Sequence, residues 1–286
     1  MQTVQDPGQE AQLGVKLGAL RERIEAMGSV LVCYSGGLDS GFLLAVAHQV
    51  LGDRAVALTA TGPALAARER EQACALAERL GARVVLMDAG EMQVPGYVDN
   101  GPDRCFHCKD ALYVTAERVS RELGLGVVVN GTNTDDLGDY RPGLDAARQH
   151  GIASPLLECG FSKQEIRAAA RMMGLSLWDK PAAACLASRI PYGASVTREK
   201  LEQIAGFEAA LQDLGLKRVR VRHHDKLARI EVETCDIERV ASAPMREAVV
   251  EAGKRHGYAY VTLDLAGYRT GSHNEVLIGR HLKTIA

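Results

Sequence analysis

The segment Val30-Leu-Val-Cys-Tyr-Ser-Gly-Gly-Leu-Asp-Ser-Gly41 decides the fold of this chain. It begins with an apolar, β-branched run of strand length that ends at Ser35, and it continues through two glycines into the apolar run 42–47. This order predicts a strand, a tight turn and a helix. The glycines let backbone N–H groups face inward, and the positive end of the helix dipole points to the same place. The segment therefore predicts a phosphate-binding site at the first strand–helix junction.

The glycine-rich turn differs from two common nucleotide-binding motifs. It has neither the Lys-Ser/Thr of a Walker A loop nor the pattern Gly-x-Gly-x-x-Gly. It resembles the pyrophosphate loop of the ATP pyrophosphatases, which cleave ATP between the α and β phosphates and adenylylate a substrate. An ordinary β–α turn without a ligand is the alternative. The resemblance implies that the ATP-binding residues are Ser35, Gly36, Gly37, Leu38, Asp39 and Ser40.

Composition limits the classes of protein that the chain can belong to. Of its 286 residues, 47% are hydrophobic and 24% are charged, as in soluble globular proteins. The net charge of −2 argues against a nucleic-acid partner, since nucleic-acid-binding domains are usually basic. Neither an apolar run of membrane-spanning length nor a signal-peptide core is present. We therefore expect a cytoplasmic protein without a membrane or nucleic-acid partner, whose seven cysteines are not disulfides.

Strand and helix patterns alternate over the first half of the chain. Apolar runs of strand length occupy residues 30–34, 55–60, 83–88 and 126–130, with helical patterns between them. This rhythm predicts an α/β fold with a parallel sheet and helices on both faces, and ligands in such sheets bind beyond the carboxyl ends of the strands. Residues 152–157 predict a further strand, and Ser162 with Glu165 predicts a capping box at the next helix.

The loop after the fourth strand should lie at the same edge of the sheet as the phosphate loop. It reads Gly131-Thr-Asn-Thr-Asp-Asp136. Because hard oxygen ligands suit Mg²⁺, Asp135 and Asp136 predict a magnesium site beside the ATP phosphates. A solvated loop rich in Asp and Asn is the alternative. Gly131, Asn133 and Thr59 complete the predicted ATP-binding residues.

An irregular, Ala- and Pro-containing segment, residues 176–195, interrupts the regular patterns. We expect residues 1–194 to form the phosphate-loop domain and residues 195–286 a small α+β domain for substrate binding or oligomerisation. The second domain should contain a helix over 197–214, strands over 218–222, 228–233 and 258–263, a helix over 236–256, and a partly extended end after 267.

Three cysteines stand out by position. Cys105 and Cys108 open a predicted helix, whose first turn brings both sulfurs to one face. A Cys-x-x-Cys motif alone is compatible with zinc, an iron–sulfur cluster, a redox disulfide or coincidence. Zinc would need four ligands, with Cys185 third and His107 or another residue fourth, whereas three cysteines on a 4Fe-4S cluster would leave one iron open. Cys33 and Cys74 fall on apolar faces and are interpreted as core residues.

Together these motifs resemble the LarE-type sulfur transferases, which make the thiocarboxylates of the nickel-pincer nucleotide cofactor. Besides the phosphate loop, the resemblance is carried by Arg104-Cys-Phe-His-Cys-Lys109, Gly131-Thr-Asn-Thr-Asp-Asp136, Ala184-Cys-Leu-Ala-Ser-Arg-Ile-Pro-Tyr-Gly193, Val219-Arg-Val-Arg-His-His224 and Ala228-Arg-Ile-Glu-Val232. It implies that ATP and Mg²⁺ serve to adenylylate a carboxylate of pyridinium-3,5-biscarboxylic acid mononucleotide, a small nucleotide-type substrate. Sulfur then replaces AMP.

The resemblance leaves two sources of sulfur. Some members sacrifice the cysteine that matches Cys185 and end with dehydroalanine, whereas others bind a 4Fe-4S cluster and pass on a sulfide. Because Cys105, Cys108 and Cys185 are all present, we expect the cluster type. We further expect a homo-oligomer that receives sulfide from a donor of unknown identity.

The resemblance also implies which residues are catalytic and which bind substrate. Asp39, Cys185, Ser188 and Arg189 would be catalytic, and Arg189, Arg220 and Arg222 would bind substrate. Arg220 and Arg222 alternate along a strand and share one face, which suits bidentate binding of phosphate. A solvated basic strand edge is the alternative, and Glu231 and Glu233 would orient these arginines from the adjacent strand.

Three other readings share part of this evidence. An NAD synthetase-like amidoligase has a similar first motif but no need for the three cysteines. A transfer-RNA thiolase should show a basic surface, which the net charge of −2 does not favour. A non-catalytic ATP sensor would bind nucleotide without releasing pyrophosphate.

Overall fold

The computed structural model describes residues 7–138, 142–180, 184–269 and 271–277. Its helices are α1 (Pro7–Met27), α2 (Leu38–Leu51), α3 (Ala67–Leu80), α4 (Pro95–Val98), α5 (Arg104–Glu122), α6 (Gly143–Gln149), α7 (Pro155–Glu158), α8 (Lys163–Met172), α9 (Arg198–Asp213), α10 (Ile237–Ala241) and α11 (Met245–Arg255). Its strands are β1 (Val30–Cys33), β2 (Ala55–Ala60), β3 (Arg83–Met87), β4 (Val127–Val129), β5 (Val219–His224), β6 (Leu227–Val232) and β7 (Tyr260–Leu263). Across those ranges, none of the helices combines the length and apolarity needed to cross a membrane.

Contacts group the chain into two compact units. The first comprises Met1–Glu91 and Cys105–Ala183, and the second comprises Met92–Arg104 and Ala184–Ala286. The expected domain boundary after residue 194 stays a prediction, because a domain is defined by independent folding rather than by grouped contacts.

The first unit is built on a parallel sheet with the strand order β3-β2-β1-β4. Val30 of β1 lies opposite Ala55 on one side and Val127 on the other, so the strand that leads into the phosphate loop is central. Because all of these strands run in the same direction, their carboxyl ends meet at one edge. The predicted α/β fold with a parallel sheet is confirmed.

Alternate residues of β1 supply the cores on the two faces of the sheet. Val30 and Val32 pack with α1, α2 and α3, whereas Leu31 and Cys33 pack with α5 and α6. Burial raises the pKa of Cys33 to about 11, with the nearby Lys109 acting in the opposite direction. Cys33 is therefore a neutral core thiol, as its position in the sequence predicts.

The predicted strand over residues 152–157 is wrong. Ala153 makes a single parallel bridge to Val129, and Pro155 then opens α7. Proline lacks the N–H that a ladder needs and is favoured in the first turn of a helix. The pairing with β4 therefore does not extend beyond Ala153. The capping box at α8 is confirmed, since the Glu165 N–H donates to Ser162 Oγ (3.3 Å) and the Ser162 N–H donates to Glu165 Oε2 (2.8 Å).

The second unit contains a mixed sheet with the order β5-β6-β7. β5 and β6 are antiparallel, β6 and β7 are parallel, and α9 packs on β5. The predicted helix over 236–256 is interrupted by Pro244, which separates α10 from α11. Residues 89–104, whose prolines and glycines predict a loop, contain the short helix α4. Ser272–Leu277 forms a 3-10 turn, whereas the sequence predicts a partly extended end after residue 267. Residues 278–286 lie outside the described residues.

A histidine beside α6 connects two carboxylates of α5. His150 Nδ1 lies 2.8 Å from Glu117 Oε1, and His150 Nε2 lies 2.8 Å from Asp110 Oδ1. Burial by itself would lower the pKa of His150. The hydrogen bonds and negative charges of Asp110 and Glu117 outweigh that effect, so the net result is a raised pKa. Folding therefore favours the protonated ring.

We expect this arrangement to make the free energy of unfolding depend on pH. The protonated His150 ring contributes fully to the free energy of unfolding below a pH of about 6.5, which is the pKa of histidine in the unfolded chain. This contribution is lost as the pH rises through the raised pKa of the folded state. Urea unfolding at about pH 5.5 and about pH 8.5 should show His150→Gln less stable than wild type by up to about 1 kcal/mol at the lower pH only. A difference that does not change with pH would contradict this prediction.

Candidate active site

The phosphate loop lies at the carboxyl end of β1. Gly36 has φ +73°, and a Cβ there would lie 2.6 Å from the Cβ of Ala73, so only glycine suits this position. Among the described residues, no side chain caps the start of α2 after Gly37, which leaves the first N–H groups of that helix for another acceptor. The Oγ atoms of Ser35 and Ser40 lie 3.1 Å apart and close the loop. The loop thus offers what a phosphate needs.

The loop after β4 touches the start of α2. A Cβ on Gly131 would lie 2.7 Å from the backbone N of Ser40 and 3.0 Å from the carbonyl carbon of Asp39. Glycine therefore permits a backbone approach that a side chain would prevent. The structure brings together the predicted ATP-binding segments 35–40 and 131–133 at one edge of the sheet.

Asp39 and Asp135 meet at one lysine. Lys163 Nζ donates to Asp39 Oδ2 (2.8 Å), and the backbone N–H of Lys163 donates to Asp135 Oδ2 (3.1 Å). Asp39 Oδ1 is buried without a hydrogen-bond partner in the described part of the chain. Asp136 instead accepts from the backbone N–H of Asn133 (3.0 Å) and shapes its own loop. A buried carboxylate oxygen without a donor fits a hard cation such as Mg²⁺.

Two predicted ATP-binding residues serve the backbone around the loops. Thr59 Oγ1 donates to the carbonyl oxygen of Tyr34 (2.9 Å). Asn133 Oδ1 accepts from the N–H of Asp135 (3.0 Å), while its buried Nδ2 has no hydrogen-bond partner among the residues that are described. Binding of ATP by Thr59 and Asn133 stays a prediction.

Two lysines at the phosphate loop were missed in the sequence analysis. Lys163 contacts Asp39, and Lys180 Nζ donates to the carbonyl oxygen of Gly36 (2.9 Å). Burial lowers the pKa of Lys180, with Glu69 acting in the opposite direction. These lysines lie 124 and 144 residues from their partners in the chain, so no local pattern could have revealed them. Lysine ammonium groups bind phosphate as point charges.

Cys105 and Cys108 lie in the first turn of α5, as predicted. Cys105 is exposed, Cys108 is half-buried, and neither belongs to a disulfide in the described structure. Lys109 follows directly. Burial by itself would lower its pKa, but Tyr113 and three thiols, Cys33 among them, together outweigh burial, and the pKa is raised. The positive charge of Lys109 thus lies close to the sulfurs of Cys105 and Cys108.

Cys185 precedes a 3-10 turn, Leu186–Arg189, in the second unit, and its side chain is exposed. Arg189 Nη1 donates to the carbonyl oxygens of Ala184 (2.6 Å) and Cys185 (3.0 Å). Arg222 Nη1 donates to the carbonyl oxygen of Ser188 (2.9 Å), and Ser188 Oγ donates to that of Cys185 (2.8 Å). Four predicted site residues thus come together around the backbone of one turn.

Two buried glutamates hold the arginines of this turn. Glu208 accepts from Arg189 Nε (2.9 Å) and Nη2 (3.0 Å), and Glu231 accepts from Arg222 Nε (2.9 Å) and Nη2 (2.7 Å). Glu231 therefore orients Arg222 as expected, whereas Glu233 pairs with Arg218. Because every guanidinium nitrogen of Arg189 and Arg222 already contacts the protein, a substrate would have to compete with these contacts or add to them.

Arg220 extends the positive charge around this turn. Its Nη1 donates to the carbonyl oxygen of Val219 (2.9 Å), and its guanidinium carbon lies 5.3 Å from the ring centre of Tyr268. Burial and the charge of Arg189 lower the pKa of Arg220. Burial and neighbouring arginines also lower the pKa of His273, to about 4. An anionic substrate group would be attracted here; its binding by Arg189, Arg220 and Arg222 stays a prediction.

A group of three potential metal ligands lies elsewhere in the second unit. Glu233, Cys235 and Asp236 place their ligand atoms within 4.8 Å of one another. Asp236 Oδ1 lies 3.4 Å from Arg239 Nη1. All three potential ligands belong to one short stretch of chain. The group includes none of the cysteines that the sequence predicts as ligands.

Comparison with known proteins gives near full-length relatives, although no family model matches the chain. The uncharacterized protein slr1717 of Synechocystis sp. is 42% identical over 262 residues, which cover 92% of this chain and 98% of the relative. A glutamine-hydrolyzing GMP synthase of Aeropyrum pernix is 27% identical over 199 residues, which cover 63% of this chain and 38% of that protein.

A third relative has a stated product. The pyridinium-3,5-bisthiocarboxylic acid mononucleotide synthase of Lactiplantibacillus plantarum is 34% identical over 277 residues, which cover 96% of this chain and 100% of the relative. The match leaves no part of the relative outside the alignment. With the phosphate loop and the Cys185 turn in place, the chain belongs to the family of the pyridinium-3,5-bisthiocarboxylic acid mononucleotide synthase, the LarE family.

Proposed function

We propose that this chain is an ATP-dependent sulfurtransferase that adenylylates a carboxylate of pyridinium-3,5-biscarboxylic acid mononucleotide and replaces AMP with sulfur. The relative from Lactiplantibacillus plantarum is named for the bisthiocarboxylic acid product. The observation that carries the proposal is the phosphate loop at the start of α2, where Lys163 pairs with Asp39 and an oxygen of Asp39 is buried without a donor from the residues that the structure describes. Such a site suits a nucleoside triphosphate with its metal ion.

The first step turns a poor electrophile into a reactive one. A carboxylate oxygen of the substrate attacks the α-phosphorus of ATP, the bond to the β-phosphate bridging oxygen breaks, and pyrophosphate leaves. The N–H groups of α2, with Lys163 and Lys180, would stabilise the charge on pyrophosphate. The predicted ligands Asp135 and Asp136, together with the buried oxygen of Asp39, would hold Mg²⁺, which when bound stabilises charge on phosphate oxygens.

The second step forms the carbon–sulfur bond. A sulfur nucleophile attacks the carbonyl carbon of the acyl adenylate, and AMP leaves with the electron pair of the broken carbon–oxygen bond. If the Cys185 thiolate is the nucleophile, a thioester forms. Loss of the Cys185 α-proton then forms the Cα–Cβ double bond of dehydroalanine, and the Cβ–Sγ bond breaks so that sulfur leaves with its electron pair as the thiocarboxylate.

We favour delivery of sulfide from a 4Fe-4S cluster over sacrifice of the Cys185 sulfur. Cys105, Cys108 and Cys185 are thiols outside any disulfide, and thiol sulfur is the donor type that such clusters take. When bound, the cluster would supply the sulfide at an iron that the protein leaves open. These three cysteines would hold it.

The experiment that tests adenylylation is release of pyrophosphate. We expect purified protein with ATP and Mg²⁺ to release pyrophosphate and AMP only when the pyridinium biscarboxylic mononucleotide is added. Asp39→Asn should lower this rate by about 10²–10³-fold, because it removes charge beside the phosphates. Asp53→Asn, at an exposed position outside the loop, is the matched control.

The other readings predict different results in the same assay. A transfer-RNA thiolase would release pyrophosphate only with RNA, and an ATP sensor would release none under any condition. Either result would overturn the proposed function.

A further inference from the structure

Residues 92–104 pack with the segment that carries Cys185, although about 80 residues separate them in sequence. Arg104 Nη1 donates to the carbonyl oxygen of Ala187 (2.9 Å) within the turn after Cys185, and to Asn100 Oδ1 (2.5 Å). Arg104 is 4% exposed. With Arg189 and Arg222, three guanidinium groups donate to carbonyl oxygens of residues 184–188.

Asn100 fixes the end of the same segment. It is fully buried, and its Nδ2 donates to the carbonyl oxygens of Pro191 (2.8 Å) and Ala194 (2.8 Å). The carbonyl oxygen of Asn100 accepts from the N–H of Gly193 (3.0 Å). Its φ of +57° is a left-handed conformation, which asparagine adopts more readily than most residues. One side chain thus serves both Arg104 and the backbone beyond the turn.

We infer that Asn100 and Arg104 are positioning residues for Cys185, an inference that rests on the proposed sulfur transfer. Short 3-10 turns have poor internal hydrogen bonds, so external donors to their carbonyl oxygens largely decide their geometry. Without Arg104, the carbonyl oxygen of Ala187 loses its guanidinium donor. Without Asn100, the carbonyl oxygens of Pro191 and Ala194 lose the side-chain amide that donates to both. If the Cys185 sulfur is displaced by about 1 Å, the transferred sulfur is also displaced, whether Cys185 holds the cluster or attacks by itself, and transfer slows because attack needs near-contact geometry.

The inference predicts a separation of the two steps of the reaction. Arg104→Met and Asn100→Gly should each lower thiocarboxylate formation by at least about tenfold, with substrate-dependent pyrophosphate release and its KM within about twofold of wild type. Asn100→Gly keeps the left-handed backbone and removes only the side chain. Asp225→Gly, at another left-handed residue of the same unit (φ +51°), is the matched control and should change neither rate.

Hydrogen exchange supplies a readout that does not depend on the proposed function. In both variants the amides of Ser188 and Ile190, which close the turn, should exchange at least about tenfold faster, while those of β1 and α2 stay unchanged. Wild type without substrate-dependent pyrophosphate release would refute the function and leave the exchange test intact. Unchanged exchange in both variants, or pyrophosphate release that falls as much as thiocarboxylate formation, would overturn the inference.

Discussion

Cys185→Ala should form no thiocarboxylate, whereas its substrate-dependent pyrophosphate release should continue at close to the wild-type rate. The substitution removes the only sulfur on the turn Leu186–Arg189 and its preceding residue, but it leaves the phosphate loop and Lys163 of the first unit intact. Quantifying pyrophosphate and thiocarboxylate in the same reaction measures both steps. Cys235→Ala, which removes another exposed thiol of the second unit, should behave as wild type. Loss of pyrophosphate release in Cys185→Ala would refute the division of the two steps.

The same variant series identifies the source of sulfur. After oxygen-free purification and reconstitution, we expect iron and acid-labile sulfide in cluster proportion, lost in Cys105→Ala and kept in Cys74→Ala. Cys74 is a half-buried thiol of the same unit to which we assign no ligand role. Absence of iron, with a chain lighter by the mass of H₂S after turnover, would instead show that Cys185 gives up its sulfur.

Gly131→Ala should lower substrate-dependent pyrophosphate release by at least about 100-fold, because the phosphate loop cannot keep its position. The new Cβ would lie 2.7 Å from the backbone N of Ser40 and 3.0 Å from its Cα. Backbone atoms cannot rotate away as a flexible side chain can, so the loop after β4 and the start of α2 must move apart. Overpacking of this kind also costs about 1–3 kcal/mol in the free energy of unfolding. Parallel urea titrations and pyrophosphate assays measure the two effects.

Gly18→Ala provides the control for adding a methyl group at a glycine. Gly18 lies inside α1, and apart from the adjacent backbone of that helix a Cβ there would meet no atom of the described residues within 4 Å. Alanine should therefore stabilise the protein by about 0.5–1 kcal/mol and leave the rate unchanged. A wild-type rate in Gly131→Ala would mean that close contact between the two loops is not required for ATP use.

Local sequence patterns determine the first half of the fold. The run 30–41 predicts β1, the phosphate loop and the start of α2, because strand and helix periods and the freedom of glycine act over a few residues. The capping box at Ser162 and Glu165 follows from a fixed three-residue spacing. The strand predicted over residues 152–157 was wrong although Pro155, which favours the first turn of a helix and cannot donate to a ladder, is visible in the sequence.

The sequence by itself also determined which functional groups are available: the loop that suits phosphate, the carboxylates beside it, and three cysteines. The tertiary structure alone decided which of these side chains are engaged and by what. Lys163 reaches Asp39 across 124 residues, and Asn100 and Arg104 reach the Cys185 segment across more than 80. Such contacts depend on how strands are ordered and how segments cross, which periodicity over a few residues does not encode.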